Sequence, residues 1–466
     1  MIHKYQLGDY RILLDVGSGA VHLLDAVSYA IVDAITLPMT EDCPHSIFAQ
    51  FPEFSKEEIE ESYQEFYQLY QEGSLFSEDD YEAFADCMTD APIKAMCLHI
   101  AHDCNLRCGY CFASTGDFGH GRKLMTEETG KQAIDFLLTH SGTRKNLELD
   151  FFGGEPLMNF KVIQKIVAYA REHEKEYGKH FRFTVTTNGI LLDEEKISYL
   201  NEEMNNIVLS LDGRKEVNDR MRPRVDQSGS YDKIVPLYQQ LVSGRGKKDY
   251  YVRGTFTKYN LDFSKDVMQM HQLGFRQLSI EPVVSDPREP YAITRKELPQ
   301  IFEEYDRLAE QLIEKKKKGE EINFFHFMID LAQGPCAIKR LRGCGCGNEY
   351  VAVTPDGDIY PCHQFVGKEE WKMGNLSTGI VDSEKKRFFA HTTIYDKPKC
   401  QECWAKFYCS GGCNANNLEF AGDVFSPYEL GCEMEKKRVE VAIMIQAALA
   451  EQKELSLIHI SEPTRP

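Results

Sequence analysis

The segment HDCNLRCGYCFAS places three thiols, Cys104, Cys108 and Cys111, within eight residues. Structural zinc closes a tetrahedron with four ligands, so this loop is one short. A cubane iron–sulfur cluster held by three thiolates keeps one iron open to another ligand. A zinc site completed by His102 or His120 is the competing reading.

A second cysteine field lies far downstream. Cys400, Cys403, Cys409 and Cys413 read CxxCx5CxxxC, with Cys432 beyond them, and CGCGNEYVAVTPDGDIYPC upstream carries Cys344, Cys346, Gly357 and Cys362. Nine of the fifteen cysteines fall between Cys336 and Cys432. CxxC is also a zinc spacing, so a pair of zinc ribbons competes with clusters here. Cys43, Cys87 and Cys97 stand apart and read as small buried hydrophobes. No basic-then-apolar signal segment opens the chain, which argues against a disulfide framework and for the cytoplasm.

Elements that could position the first loop follow from strand–helix alternation. AMCLHIA, LELDFFGG, FRFTVTTNG, NIVLSLDG, YYVRGTFT and QLSIEPVV read as strands, separated by helical segments such as TEETGKQAIDFLLTH and FSKDVMQMHQLG. Six β–α units in series predict a parallel sheet closed into a partial barrel over residues 94–320. In such barrels chemistry gathers at the C-terminal strand ends. Polar motifs stand there in succession: Gly153, Gly154 and Glu155 in GGEP, Thr186 and Asn188 in TTNG, Ser210 and Asp212 in SLDG. Singly, each has a turn or helix-cap reading.

Residues 1–90 carry a hairpin signal, YRILLDVGSGAVHLLD, and helical spacing in SKEEIEESYQEFYQLYQEGSLF behind a Ser55 cap, which together suggest a small winged-helix-like module. Residues 321–450 are rich in glycine, turns and cysteine, as expected of a small domain held by metal. The tail 455–466, LSLIHISEPTRP, breaks the preceding pattern and resembles a cloning or adaptor tail. A net charge of −19 argues against general nucleic-acid binding. No run of about 18 apolar residues suggests a membrane span.

CxxxCxxC after the first strand, with Tyr110 before the last cysteine, resembles the signature of the radical S-adenosylmethionine (SAM) superfamily. That resemblance covers roughly residues 94–290 and implies a [4Fe–4S] cluster whose fourth iron binds SAM, cleaved to a 5′-deoxyadenosyl radical. It further implies SAM contacts from Gly153, Gly154 and Glu155 to the ammonium. Thr186, Asn188, Ser210 and Asp212 would serve the carboxylate or ribose. Arg222, in NDRMRPR, would pair with the carboxylate, Tyr110 would join the cofactor-binding set, and Ile280 and Val283 would form an adenine wall. The cysteine-rich region resembles the SPASM extension of these enzymes, which implies two auxiliary [4Fe–4S] clusters and three in all. By that resemblance Cys400, Cys403, Cys409 and Cys432 hold one, and Cys344, Cys362 and Cys413 the other. Its fourth ligand stays open between Cys346, Cys336 and a substrate thiolate.

The first unit resembles the peptide-recognition element of ribosomal-peptide maturases, which adds a leader peptide as a strand at a sheet edge. Over about residues 1–450 the chain resembles maturases of SCIFF peptides (six cysteines in forty-five residues). The resemblance implies a thioether bond from a peptide Cys sulfur to the α-carbon of an acceptor, usually Thr. The implied partners are a Cys-rich precursor and a low-potential ferredoxin or flavodoxin. Anaerobic sulfatase maturases are the alternative, but they resemble this chain less at His363, where that family carries an Asp base. A non-enzymatic metal- or redox-sensing protein is the alternative from another class.

Overall fold

The structure, a computed structural model, describes residues 1–86, 91–119, 121–331 and 337–450. Cys87, His120, Cys336 and the tail 455–466 lie outside the described residues.

Strands β1 (Ile2–Leu7), β2 (Tyr10–Asp15) and β3 (Val21–Leu23) form an antiparallel sheet in that order. The hairpin signal corresponds to β2 and β3, whereas β1 was not expected from the sequence. Its turn into β2 uses Gly8 at φ +58, a conformation glycine adopts without a Cβ penalty. Helix Lys56–Gln71 starts at Ser55 in a full capping box with Glu58. Leu13 of β2 points into a core shared with Ile31, Ile59, Tyr63 and Phe66, while Ile12 and Leu14 join the main core. The small sheet is thus buried on both faces, which explains the unbroken ILL run.

Then follow β4 (Ala95–His102), β5 (Lys123–Leu124), β6 (Asn146–Gly153), β7 (His180–Thr187), β8 (Asn206–Ser210), β9 (Asp249–Phe256), β10 (Gln277–Pro282) and β11 (Asn323–Phe324). Strands β4, β6, β7, β8, β9 and β10 are the six expected ones, and neighbours among them pair in parallel. Their connections carry helices, among them Glu127–His140, Phe160–Tyr177 and Phe263–Gln272. Side chains alternate, as period two demands. Leu147, Leu149 and Phe151 on β6, and Phe181, Phe183 and Val185 on β7, are fully buried in the main core. The opposite row stays partly accessible and is largely polar: Asp150, Thr184, Thr186, Ser210, Arg253 and Glu281.

The cysteine-rich region continues this sheet. After it come β12 (Tyr350–Val353), β13 (Asp358–Tyr360), β14 (Gly374–Asn375) and β15 (Gly379–Ile380). β12 runs parallel to β4 with Tyr350 opposite Ala95, so the region leans on a long-range strand pair as well as on its own cysteines. Just before β12, Glu349 is 2% exposed and meets Lys94 Nζ at 2.9 Å, Arg342 Nη2 at 3.7 Å and Arg144. Removing one partner of a buried ion network strands the others. Glu349→Ala is expected to cost about 3 kcal/mol, read as a lowered midpoint in urea unfolding followed by circular dichroism; an unchanged midpoint would contradict this role.

Helix Glu429–Ala450 packs on helix Leu298–Lys317 and reaches the N-terminal sheet. There Tyr5 donates to the Glu440 carbonyl at 3.0 Å, and His3 lies 2.9 Å from the Glu440 carboxylate and stacks on Trp404. Among the described residues no helix is long and apolar enough to cross a membrane.

Candidate functional site

The first cysteine loop leaves the C-terminal end of β4 and is pinned by backbone bonds. Arg107 N–H donates to the Pro223 carbonyl and Gly109 N–H to that of Met221, both at 2.8 Å. The GGE strand end packs directly beneath it. Gly154 N–H bonds the Ala101 carbonyl and Glu155 N–H the Asp103 carbonyl, each at 2.8 Å. A Cβ on Gly154 would stand 2.2 Å from the Asp103 oxygen, and one on Gly153, at φ +122, 2.3 Å from the Ala101 oxygen. The two glycines let the loop backbone come this close.

Glu155 is 1% exposed, and both its oxygens are engaged. Oε1 accepts from Leu157 N–H at 3.0 Å and the Thr187 hydroxyl at 2.7 Å; Oε2 accepts from Asn188 N–H at 2.8 Å. Burial nevertheless pushes its carboxyl up to about 7. Asn188, so held, donates to Asn105 Oδ1 at 2.8 Å and to Cys104 Sγ at 3.6 Å. Glu155 therefore ties the third strand end to the thiol loop. Glu155→Gln sets an amide donor against one of three N–H or O–H donors. It is expected to cost about 1–3 kcal/mol in chemical unfolding and to weaken SAM binding in calorimetry; wild-type values for both would contradict this role.

Across the loop, a buried triad joins three further residues singled out in the sequence. Tyr110 OH donates to Asp212 at 2.7 Å and accepts from Arg222 Nη1 at 2.9 Å. Asp212, fully buried, also accepts from Thr255 N–H at 3.0 Å. Arg222 Nε is buried with no hydrogen-bond partner among the described residues, a donor left for a ligand. Burial pushes the Cys104 thiol up to about 12 with the Glu155 charge adding, and Cys108 up to about 11 with Arg222 opposing. The three thiols bear on one another. Thiols so buried ionise readily only against a cation, as an iron–sulfur cluster provides.

The fold does not bring every expected residue to this place. Thr186 and Ser210 lie on the accessible inner row. Ile280, 1% exposed, packs in the main core with its side chain in the row of Leu278, while Val283 is 5% exposed at the strand end. His102 engages the His99 ring at 3.0 Å. Thr187, Asn105 and Tyr238 were missed. Tyr238 OH donates to the Ser210 carbonyl at 3.1 Å, and its ring fills the space a Cβ on Gly189 would need.

Downstream, Cys400, Cys403, Cys409 and Cys432 line one cavity of about 450 Å³. The other expected group also assembles: Cys344, Cys362 and Cys413 lie near one another, and Cys346 joins them. The Cys346 and Cys362 thiols bear on each other, which raises the first and lowers the second. Gly347 N–H donates to the Pro361 carbonyl at 3.0 Å, fixing the two segments side by side. A polynuclear cluster, whose thiolates bind separate irons, is a group this all-thiol donor set can hold.

Comparison with known proteins agrees with the geometry. A 4Fe-4S single cluster domain family matches residues 95–236, and the SPASM iron–sulfur cluster-binding domain matches residues 344–404. The chain is 24% identical over 334 residues to a cysteine-type anaerobic sulfatase-maturating enzyme of Clostridium novyi, spanning 67% of this chain and 86% of that one. Native anSMEcpe with bound AdoMet and Cp18Cys peptide shares the fold at a TM-score of 0.64, with 20% identity over 78% of this chain and 99% of that one. SuiB of Streptococcus suis, bound to precursor peptide SuiA, gives 0.50 at 16% identity over 90% and 95%. The barrel and its thiol loop are similar to those of radical SAM proteins, and the cysteine-rich extension is similar to the SPASM domain.

Proposed function

We propose that this protein is a peptide maturase that forms intrapeptide thioether bonds in a Cys-rich, ribosomally made precursor of the SCIFF type. The observation that carries the reading is the pairing of a three-thiol loop at the end of β4 with two further thiol groups in the region that joins the same sheet through β12. In this reading Cys104, Cys108 and Cys111 hold the SAM-binding cluster. Cys400, Cys403, Cys409 and Cys432 hold a second cluster, and Cys344, Cys362 and Cys413 a third. Loaded and reduced, a cluster held by these three thiols would supply radical chemistry from SAM, suited to removing a hydrogen atom from the acceptor α-carbon.

The chain's own residues serve that chemistry. Arg222, with its free Nε, binds the SAM carboxylate, and Tyr110 and Asp212 orient it. Gly153, Gly154 and Glu155 shape the strand end that receives the SAM amino group. Asn188, Thr186 and Ser210 face the sugar, and Val283 closes the adenine end with Ile280 behind it. The reaction balances as one S–C bond formed from a thiol S–H and an α C–H. One hydrogen would leave on deoxyadenosine, and one proton and one electron would leave separately; a centre held by the downstream thiols would be the acceptor for that electron. A low-potential ferredoxin or flavodoxin supplies the electron that SAM cleavage consumes, in the cytoplasm.

Recognition of the precursor is assigned to residues 1–90. Among the described residues β3 has a neighbouring strand on one side only, so its outer edge offers backbone groups to an added strand. Formylglycine formation is disfavoured by His363. The sulfatase-maturase resemblance carries an Asp base at that position, and an imidazole stands there instead. Reduced enzyme, SAM and a Cys-rich precursor are expected to give a peptide lighter by two hydrogens per bridge. SAM cleavage with an intact precursor of unchanged mass would refute the assignment.

A further inference from the structure

Between the two cysteine fields, the accessible row of the sheet carries opposite charges that the chemistry above does not use. Arg253 stands on β9 and Glu281 on β10. Ser279 is opposite Arg253 in register and Glu281 is opposite Thr255, the residue whose N–H holds Asp212. Arg253 is thus one inward position, about 6.8 Å along the strand, from the residue that holds the Tyr110–Asp212–Arg222 triad. On its other side the Arg253 charge bears on His363, next to Cys362. The His363 ring itself lies 5.1 Å from the ring of Phe152 and 5.7 Å from that of Phe112, which follows Cys111.

Contact within the pair is loose. Arg253 Nη2 lies 3.5 Å from Glu281 Oε1, and the two side chains remain 52% and 30% exposed. Behind them the support is tight. Arg438 Nη1 donates to His326 Nδ1 at 2.9 Å, so the ring proton of neutral His326 sits on Nε2. That nitrogen faces Ser279 Oγ at 3.2 Å and Glu281 Oε1 at 3.4 Å. Arg438 is itself anchored to Glu435 at 2.6 Å. Glu281 is therefore braced from one side, and among the described residues the contact with Glu281 is the one ion pair of the half-exposed Arg253 side chain.

A ligand with net charge would be drawn to one member of the pair and repelled by the other. A peptide amide offers an acceptor and a donor together, and so complements both without net charge. We propose that Arg253 and Glu281 clamp the substrate backbone at the acceptor residue, Arg253 donating to its carbonyl and Glu281 accepting its N–H. His326 and Arg438 are positioning residues that aim the Glu281 carboxylate. The assignment rests on the peptide-maturase reading and adds to it the group of the substrate that is held.

The test is steady-state kinetics of the full-length, cluster-loaded enzyme with a Cys-rich precursor, counting deoxyadenosine and cross-linked product separately. Arg253→Ala and Glu281→Ala are each expected to raise the peptide KM about tenfold or more and to raise the deoxyadenosine formed per bridge, with iron and sulfide content at wild-type levels. Glu281→Gln, which keeps a carbonyl acceptor, should fall between. His326→Phe should raise KM more than it lowers kcat. Wild-type KM and wild-type deoxyadenosine per bridge in Arg253→Ala, or in both Glu281 variants, would overturn the clamp alone. A wild-type enzyme that cleaves SAM yet leaves the precursor unchanged overturns both the clamp and the maturase reading.

Discussion

Cys108→Ala is expected to bring deoxyadenosine formation down to background. The loss should exceed the roughly 10–100-fold cost of removing an outer hydrogen-bond partner of a metal ligand, because here a ligand itself is lost. The surrounding loop does not depend on that thiol for its shape. Its flanks are held by the Arg107 and Gly109 backbone bonds to residues 221–223, and the strand end below by Gly154 and Glu155. The variant should therefore fold, keep its auxiliary centres and retain about eight irons and eight sulfides per chain. Anaerobic reconstitution followed by chromatography of the SAM products reads both quantities. Native deoxyadenosine from the variant would contradict the role given to the loop.

Cys362→Ala is expected to divide the reaction. Cys362 is 7% exposed and close to Cys344, Cys346 and Cys413. In the proposed reading its removal would take a ligand from that auxiliary centre, while the Tyr110–Asp212–Arg222 triad would keep its own hydrogen bonds. Iron and sulfide should fall from about twelve to about eight each per chain, deoxyadenosine should still form, and thioether product should be absent by mass spectrometry. Product at the native rate would show that this centre neither holds the sulfur nor takes the electron.

The parts of the fold legible in the sequence are those governed by local periodicity. β6, β7 and β8 alternate buried and accessible residues while β4 is buried throughout, and the expected strand-end motifs on β6, β7 and β8 stand at strand ends. Ser55 and Glu58 mark a helix start by a rule local to four residues. What stayed hidden depended on distant pairing. β1 is short and mixed in character, and it becomes a strand by pairing with β2 and reaching Glu440. β12 lies amid turn signals, yet it extends the barrel because Tyr350 meets Ala95 across some 250 residues of chain. No local signal reports such a contact.

The candidate site shows the same division. Residue types at strand ends pointed to Glu155, Asn188, Asp212 and Arg222, and the structure brings these four around one loop. The bonds they make were not legible. Glu155 turns inward to Thr187 and to backbone N–H groups, so the Thr that matters to it is the one after Thr186. Ile280 sits in the outer row with Leu278, a consequence of strand parity that could have been counted from Glu281. Arg253 and Glu281 carry no motif and gain meaning only from the register that sets them between the two thiol fields.

The most direct test is metal and sulfide analysis of the anaerobically reconstituted chain, with dithionite-driven SAM turnover measured on the same sample. About twelve irons and twelve sulfides per chain, with deoxyadenosine accumulating, is the expected result. Stoichiometric zinc, no acid-labile sulfide and intact SAM would contradict it.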